Sequence, residues 1–445
     1  MKVAVQGASW IFVYLAVAVA PLVFAWSGPE PGRGFLVNFS VALGFVGLAM
    51  MGLQFALVAR FKTVSAPFGM DVVLQYHRQM AYVALLFILA HPVLLFVEDA
   101  RFLALLNPVT APLRAKMAVT STVALLGLVA LSVWRKRLRM SYELWQLTHG
   151  LLGVLIVVTA LAHVFLVSYY VDEPWERALW LAMSAGFVLL LVWVRVIRPL
   201  ERHRNPWQVE EVIAERGETY TVALKQQNEN GFSFEPGQFA WIMAGKSPFA
   251  TTQHPFSISS SAERTDRVTL SVKAAGDFTS SIAALKPGTT VYLDGPHGAF
   301  TTDRHEGPGF VFIGAGVGVT PLMSMLRTLA DRGDVRPCHL FLCNRDQESV
   351  TFREEIEGLK SKLNLKVVHV LSRPEEGWEG EKGRIDASVL SRGLTGGEHR
   401  HLPQRCRRLV YFICGPDAMM DATEDALARL GVPAERVHTE RFGMV

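Results

Sequence analysis

Six long apolar stretches occupy the first part of the chain, at 8–26, 35–59, 72–97, 115–134, 143–168 and 176–197. Each is close to the ~20 residues that a helix needs to cross a bilayer. The pattern predicts an all-α bundle of six membrane helices over 1–200. The first stretch opens on Met1-Lys2, as a signal peptide could. Its apolar run exceeds the roughly 7–15 residues of a signal core, so a retained span is expected. Basic residues mark alternate connections: Arg60 and Lys62, then Arg135, Lys136, Arg137 and Arg139, then Arg195, Arg198, Arg202 and Arg204. Glu98, Asp99, Asp172 and Glu173 mark the others. The positive-inside rule then places both termini, and everything after the sixth stretch, in the cytoplasm.

After Pro206 the period changes. Short alternating strands at 219–225, 238–244, 254–260, 267–273 and 289–294 are separated by Gly and Pro, which predicts a small antiparallel β-barrel over 205–303. From about Gly309, strands at 310–314, 338–343, 366–371 and 409–414 alternate with helices at 321–331, 351–361 and 417–430. That rhythm predicts a doubly wound α/β domain over 306–445.

Composition sharpens this division. Half of the 445 residues are apolar, and the excess lies almost wholly before residue 198. A net charge of +4, with no basic run interleaved with aromatics, excludes a nucleic-acid binder. The cysteines, Cys338, Cys343, Cys406 and Cys414, all fall in the second half without CxxC or zinc-ligand spacing. Free thiols there fit a reducing compartment.

The helices of the membrane half carry four histidines. His77 and His91 lie fourteen positions apart on the third stretch, and His149 and His163 fourteen apart on the fifth. Fourteen residues advance a helix by about 21 Å and return the side chain to within about 40° of its starting face. The third and fifth helices run in the same direction, so His77 matches His149 in depth and His91 matches His163. Facing imidazoles at one depth can supply both axial ligands of a haem iron, which predicts two bis-histidine b-type haems stacked across the membrane. Hydrogen-bonded interior histidines are the plainer alternative, but four matched in spacing and depth are costly in lipid without a role. A bare metal-ion site is disfavoured, because no carboxylate or thiol accompanies them.

The second half carries its own candidates. In His254-Pro255-Phe256-Ser257, Ser257 can meet the polar edge of an isoalloxazine ring, Phe256 can pack on it and His254 can meet phosphate. A Ser-rich strand alone is more often only a strand; its neighbours change that. Pro236-Gly237-Gln238-Phe239 precedes it, and a stretch with Lys273, Gly276, Thr279 and Ser280 follows, suited to a pyrophosphate. Gly295-Pro296-His297-Gly298 makes a further tight turn. Gly314-Ala315-Gly316-Val317-Gly318-Val319-Thr320-Pro321 joins a strand to a helix, with Thr320 expected as its cap and Pro321 at its first position. Glycines there let a dinucleotide approach closely. Cys414-Gly415-Pro416 repeats the arrangement after a later strand. Arg345 follows the strand 338–343, where a 2′-phosphate would lie. An arginine there leans toward NADPH over NADH, with a solvated surface arginine as the equal alternative.

These motifs resemble those of the ferredoxin–NADP reductase superfamily, and the chain over about 70–445 resembles NADPH oxidases and ferric reductases, especially prokaryotic NADPH oxidase homologues. The resemblance implies that His254 to Ser257 and Lys273 to Ser280 hold FAD, and that Gly314 to Pro321 and Cys414 to Pro416 hold NADPH or NADH. It also places an aromatic residue near the C-terminus against the flavin; Phe442 is the candidate, although Gly443-Met444-Val445 follow it. Ser257, Cys414 and Phe442 are the expected residues around the reacting rings. The implied route runs from NADPH through FAD to the His77/His149 haem, then the His91/His163 haem, then an external acceptor. Phe87 could lie between the haems, with apolar packing the plainer role. Dioxygen, giving superoxide, is the expected acceptor. A ferric chelate is the alternative, and Arg101, Arg114 and Lys116 would attract either. Two further readings are an electron-supply subunit for a partner protein and a haem-containing transporter. Membrane lipid is the expected surround, and no obligatory protein partner is expected.

Overall fold

The computed structural model describes residues 2–26, 33–228, 231–245, 247–249 and 253–442. It divides into two compact units, Met1–Phe68 with Val72–Pro199 and Gly69–Asp71 with Leu200–Val445.

In the first unit six helices are long and apolar enough to cross a membrane: Val5–Ala25, Phe35–Val58, Met70–Glu98, Leu113–Trp134, Tyr142–Val167 and Pro174–Arg204. Their ends carry polar caps where the chain leaves the apolar run. The Ser141 hydroxyl accepts the Leu144 N–H at the start of the fifth, and Glu173, Pro174 and Glu176 open the sixth. The sixth continues through a π turn at Trp193–Ile197. Pro21 and Pro92 sit inside the first and third helices, as neighbouring helices permit in a bundle. Leu86, Leu151, Val158 and Leu189 are exposed on the bundle. Such an apolar exterior is favourable against lipid and costly against water.

Inside the bundle, small residues bring the helices together. A Cβ on Gly52 would lie 2.0 Å from the Phe187 ring, and one on Gly44 would lie 3.3 Å from the His91 ring. The second helix therefore presents bare backbone to the third and sixth, a packing mode suited to lipid, where close van der Waals contact drives association. Met50, Met51, Ala84, Leu125, Leu128 and Ile156 fill the space between helices, with Phe87 packed against them.

The second unit contains two six-stranded sheets. The first comprises β1 (Trp207–Glu215), β2 (Thr219–Gln226), β3 (Phe239–Ala244), β4 (His254–Ser257), β5 (Arg267–Lys273) and β6 (Thr290–His297), in the order β4-β3-β6-β1-β2-β5. All its pairings are antiparallel. A bridge between Ile258 and Leu270, with the Ser259 N–H donating to the Thr269 carbonyl at 2.8 Å, joins the chain leaving β4 to β5. The barrel expected from the sequence is thus a sheet curled back on itself, joined at one point, with no closed ladder among the described residues. β4 is only four residues long, too short to pair along its whole length with a second neighbour.

The second sheet comprises β7 (Phe310–Ala315), β8 (Cys338–Asn344), β9 (Leu365–Leu371), β10 (Glu381–Lys382), β11 (Val410–Cys414) and β12 (Val437–Glu440), all parallel, in the order β10-β9-β8-β7-β11-β12. Phe310, Phe312 and Phe412 face the helices Val319–Asp331 and Arg353–Leu359. Val311, Ile313, Tyr411 and Ile413 face Ala387–Thr395 and Asp417–Arg429. Alternation on strands covered on both sides is the doubly wound arrangement. β10, β12 and the helix Ala387–Thr395 had no counterpart in the sequence reading; the two strands are too short to show a period.

The two sheets are tied through the helix Val319–Asp331. The Ser324 hydroxyl donates to the Ser260 carbonyl (2.7 Å), the Arg327 guanidinium donates to the Ser259 carbonyl, and the Ala262 N–H donates to the Thr328 hydroxyl (2.9 Å).

Two predictions follow from this packing. Gly52→Leu must displace the Phe187 ring, and overpacking of that kind costs about 1–3 kcal/mol. A thermal or detergent-induced unfolding curve of the purified chain should move down accordingly, and an unchanged curve would contradict the close approach. The second concerns His438 on β12, whose ring stacks on His305 at 3.5 Å between centroids. Burial, the neighbouring His305 and Arg436 lower His438 from 6.5 to about 4, and burial with Arg304 lowers His305. Their neutral forms are favoured on folding, so this stabilisation is complete above about 6.5 and is lost as pH falls through that value towards about 4. Melting of the second unit should drop by several degrees from pH 7 to pH 5, and less in His438→Gln.

Candidate functional site

The third and fifth helices bring the four membrane histidines together in two pairs. The rings of His77 and His149 have centroids 6.4 Å apart, and those of His91 and His163 also lie 6.4 Å apart. This is the spacing that two metal–nitrogen bonds of about 2 Å each leave between imidazoles on opposite sides of one iron.

Neighbouring helices hold the outer edges of three of these rings. His91 Nδ1 lies 3.0 Å from the Ser40 carbonyl and 2.8 Å from its hydroxyl, on the second helix. His163 Nδ1 lies 2.8 Å from the Arg114 carbonyl, and His149 Nδ1 3.1 Å from the Ser132 hydroxyl, both on the fourth. His77 Nδ1 is buried against the Gln54 backbone on the second helix. Engaging Nδ1 leaves Nε2 as the free donor, which is the tautomer a metal requires. Among the described residues no group of three or more His, Cys, Asp or Glu could hold a metal ion. Two nitrogens per site are too few for a bare ion, so the donor set would suit a metal that brings ligands of its own, as in a macrocycle. Phe87 packs in the apolar cluster between the helices. Arg101 is paired with Asp99 at 2.6 Å, and Lys116 Nζ donates to the Val109 carbonyl at 3.4 Å.

In the second unit, His254, Phe256 and Phe278 form an aromatic stack. His254 and Phe278 have centroids 3.9 Å apart, and Phe256 and Phe278 6.2 Å apart at an interplanar angle of 10°. Phe278 had no role assigned from the sequence; its place opens only when the helix Asp277–Ile282 folds against β4. Pro255 lies opposite Trp241, and Ser257 is buried opposite Phe239 in the β3–β4 ladder. Lys273 closes β5 and is exposed. The Thr279 hydroxyl accepts the Ala275 and Gly276 N–H groups, both at 2.9 Å, so it closes its own turn. The Ser280 N–H donates to the Gly276 carbonyl in the same turn.

The glycine turn after β7 differs in detail from expectation. The helix begins at Val319 with Gly318 as its cap, wound directly from a 3-10 turn at Gly316–Gly318. Thr320 is therefore not the cap but lies inside the first turn, and Pro321 occupies the third helical position rather than the first. Proline is tolerated there because that N–H has no partner within the helix. The Thr320 hydroxyl is buried and without a partner among the described residues. Gly316 has φ +54°, and a Cβ added to it would meet nothing within 4 Å, which leaves open space above the turn. A Cβ on Gly314 would lie 2.9 Å from Leu322, and one on Gly318 would lie 2.3 Å from the Cys414 carbonyl. A Cβ on Gly415 would lie 3.1 Å from Ala315. The two turns thus interlock where strand order reverses between β7 and β11, the place where open parallel sheets bind ligands.

Cys414 is fully buried, and burial pushes its thiol well above the ordinary range. Beside it in the β11–β12 ladder stands Glu440, which the sequence reading missed. It is buried, with Oε2 unpartnered among the described residues, and burial holds its carboxyl well above the ordinary range. A Cβ on Gly298 would lie 3.2 Å from Glu440 Oε1, so the Gly295–Gly298 turn closes on the same point. A lone glutamate two residues before Phe442 carried no signal without β12 to place it. Phe442 is 38% exposed. The preceding Arg441 is anchored to Asp417, Asp421 and Glu424 on the helix Asp417–Arg429. Gly443, Met444 and Val445 lie outside the described residues. Pro416 precedes the helix Asp417–Arg429, and Arg345, at the end of β8, is 68% exposed and 3.5 Å from Asp346.

Gly318→Ala should separate the two turns. We expect the apparent KM for the nicotinamide cofactor to rise about tenfold, equivalent to roughly 1.4 kcal/mol, in a dye-reduction assay, with bound flavin retained. An unchanged KM would remove this interlock from the binding site.

A ferric reductase like transmembrane component matches residues 43–160, an FAD-binding domain residues 207–301, and an oxidoreductase NAD-binding domain residues 312–425. The chain is 31% identical over 227 residues to ferredoxin–NADP reductase B of Sorangium cellulosum, covering 50% of this chain and 90% of that one. It is 29% identical to the ferredoxin reductase component of 3-ketosteroid-9-alpha-monooxygenase of Rhodococcus rhodochrous, across 53% of this chain and 64% of that one. Among solved structures, the cytochrome b5 reductase domain of Ulva prolifera nitrate reductase is similar at 21% identity over 54% of this chain and 98% of its own, with a TM-score of 0.45. The chain belongs to the ferredoxin–NADP reductase family through its second half and, by joining that half to a ferric reductase like membrane component, is an integral membrane oxidoreductase of the NADPH oxidase and ferric reductase architecture.

Proposed function

We propose that this protein moves electrons from cytosolic NADPH, by way of FAD and two b-type haems, across the membrane to dioxygen, releasing superoxide. The observation that carries the reading is the two imidazole pairs, each 6.4 Å apart, in a chain that also has FAD- and NAD-binding domains. Bound in these places, FAD supplies the conversion of a two-electron hydride into single electrons, and the haems supply single-electron passage.

The residues divide the work. His77 with His149, and His91 with His163, would hold the two haems. His254, Pro255, Phe256 and Ser257, with Lys273, Gly276, Thr279 and Ser280, hold the flavin. Gly314, Gly316, Gly318, Thr320 and Pro321, with Cys414, Gly415 and Pro416, hold the nicotinamide cofactor, and Arg345 meets its 2′-phosphate. Phe442 would pack against the flavin. Burial favours the neutral forms of Cys414 and Glu440. No side chain has to act as a nucleophile.

A second reading, reduction of a ferric chelate, is favoured by the ferric reductase like match over 43–160. The test is dioxygen consumption by the purified chain loaded with haem and FAD and supplied with NADPH, with and without superoxide dismutase and a competing ferric chelate. We expect dismutase-sensitive superoxide. Slow oxygen use with fast, dismutase-insensitive iron reduction would replace it with the chelate reading. Haems that become reduced but serve neither acceptor would indicate delivery to a partner protein.

His163→Ala should lower haem content from two to one per chain by pyridine haemochrome. It should abolish superoxide release while NADPH-driven ferricyanide reduction by the second unit persists. Retention of both haems would remove His163 from the ligand set.

A further inference from the structure

One half-buried side chain in the bundle is committed in every direction. Ser132, on the fourth helix, donates its hydroxyl proton to the Leu128 carbonyl at 2.8 Å. Its oxygen accepts the Trp145 indole N–H at 3.2 Å and lies 3.1 Å from His149 Nδ1. A hydroxyl has one proton and two lone pairs. With the proton on Leu128 and one lone pair on Trp145, the remaining lone pair can only accept, so His149 must carry its proton on Nδ1. That fixes the tautomer and leaves Nε2 facing His77. The Trp145 ring also lies against His149, with centroids 5.2 Å apart.

The three other membrane histidines are held differently. His163 is directed at a backbone carbonyl, His91 at both the carbonyl and the hydroxyl of Ser40, and His77 at the Gln54 backbone. The acceptor facing His149 is a side-chain hydroxyl that is shared with an indole. A hydrogen bond from Nδ1–H makes an imidazole a stronger electron donor through Nε2, which favours the oxidised metal and lowers its potential.

We propose that Ser132 and Trp145 are positioning residues that set the orientation and donor strength of His149, and through it the potential of the haem held by His77 and His149. The proposal rests on the haem reading above. Because Trp145 competes for the same oxygen, the two residues act in opposite directions. Removing the serine hydroxyl weakens the donor; removing the indole N–H frees a lone pair and strengthens it.

The experiment is a potentiometric titration of the full-length, haem-loaded chain, followed by visible absorbance and low-temperature electron paramagnetic resonance. The variants are Ser132→Ala, Ser132→Thr, Trp145→Phe and, as a control, Ser121→Ala. Ser121 is a buried serine of the same helix whose hydroxyl donates to the Ile156 carbonyl at 3.0 Å. We expect one of two potentials to rise in Ser132→Ala, to return towards wild type in Ser132→Thr, and to fall in Trp145→Phe. The other potential should stay fixed throughout, and Ser121→Ala should move neither. Shifts of the same sign in Ser132→Ala and Trp145→Phe, or no shift in either, overturn the proposal as simple loosening or irrelevance. If Ser132→Ala fails to load one haem, the direction seen in Trp145→Phe decides alone. A wild-type chain without two haems overturns the haem reading itself, and the role of Ser132 with it.

Discussion

The rest of the first unit is arranged around the cost of an imidazole in lipid. Each membrane histidine has two nitrogens to satisfy where water is absent. The structure answers by pairing His77 with His149 and His91 with His163, and by turning three of the four Nδ1 atoms to acceptors on the second and fourth helices. The second helix must then lie close against the third, and glycine at position 44 allows that approach. The fourth must pack along the fifth so that Arg114 and Ser132 reach opposite ends of it. Helix order, glycine placement and buried serines all follow from the same demand.

A comparable economy governs the second unit. The helix Val319–Asp331 begins in the glycine turn proposed for the nicotinamide cofactor and continues into the residues that bond to the first sheet. Turn and interdomain tie are thus two ends of one rod about four turns long. Holding one end fixes where the other points.

What the sequence disclosed, and what it withheld, follows from the range of the forces involved. The fourteen-residue spacing of the histidines, the six apolar runs and the alternation of strand with helix are local or periodic signals, and they were legible. The start of the helix at Val319 was not, because a 3-10 turn can feed a helix without the side-chain cap that Thr320 suggested. Glu440 was invisible for another reason. Its significance comes from lying beside Cys414 on a four-residue edge strand, and no local pattern announces such a strand. Phe278 likewise acquires its place only by stacking across two elements.

The separation of histidines along each of the two helices also limits how the chain can change length. One residue added between His77 and His91 would turn one imidazole by about 100° relative to the other and displace it by about 1.5 Å. A matching insertion between His149 and His163 would not repair the loss, since the two turned imidazoles would then face past each other. A change of length in the 99–112 connection leaves both spacings as they are, whereas these two helical segments behave as rulers with a single permitted graduation.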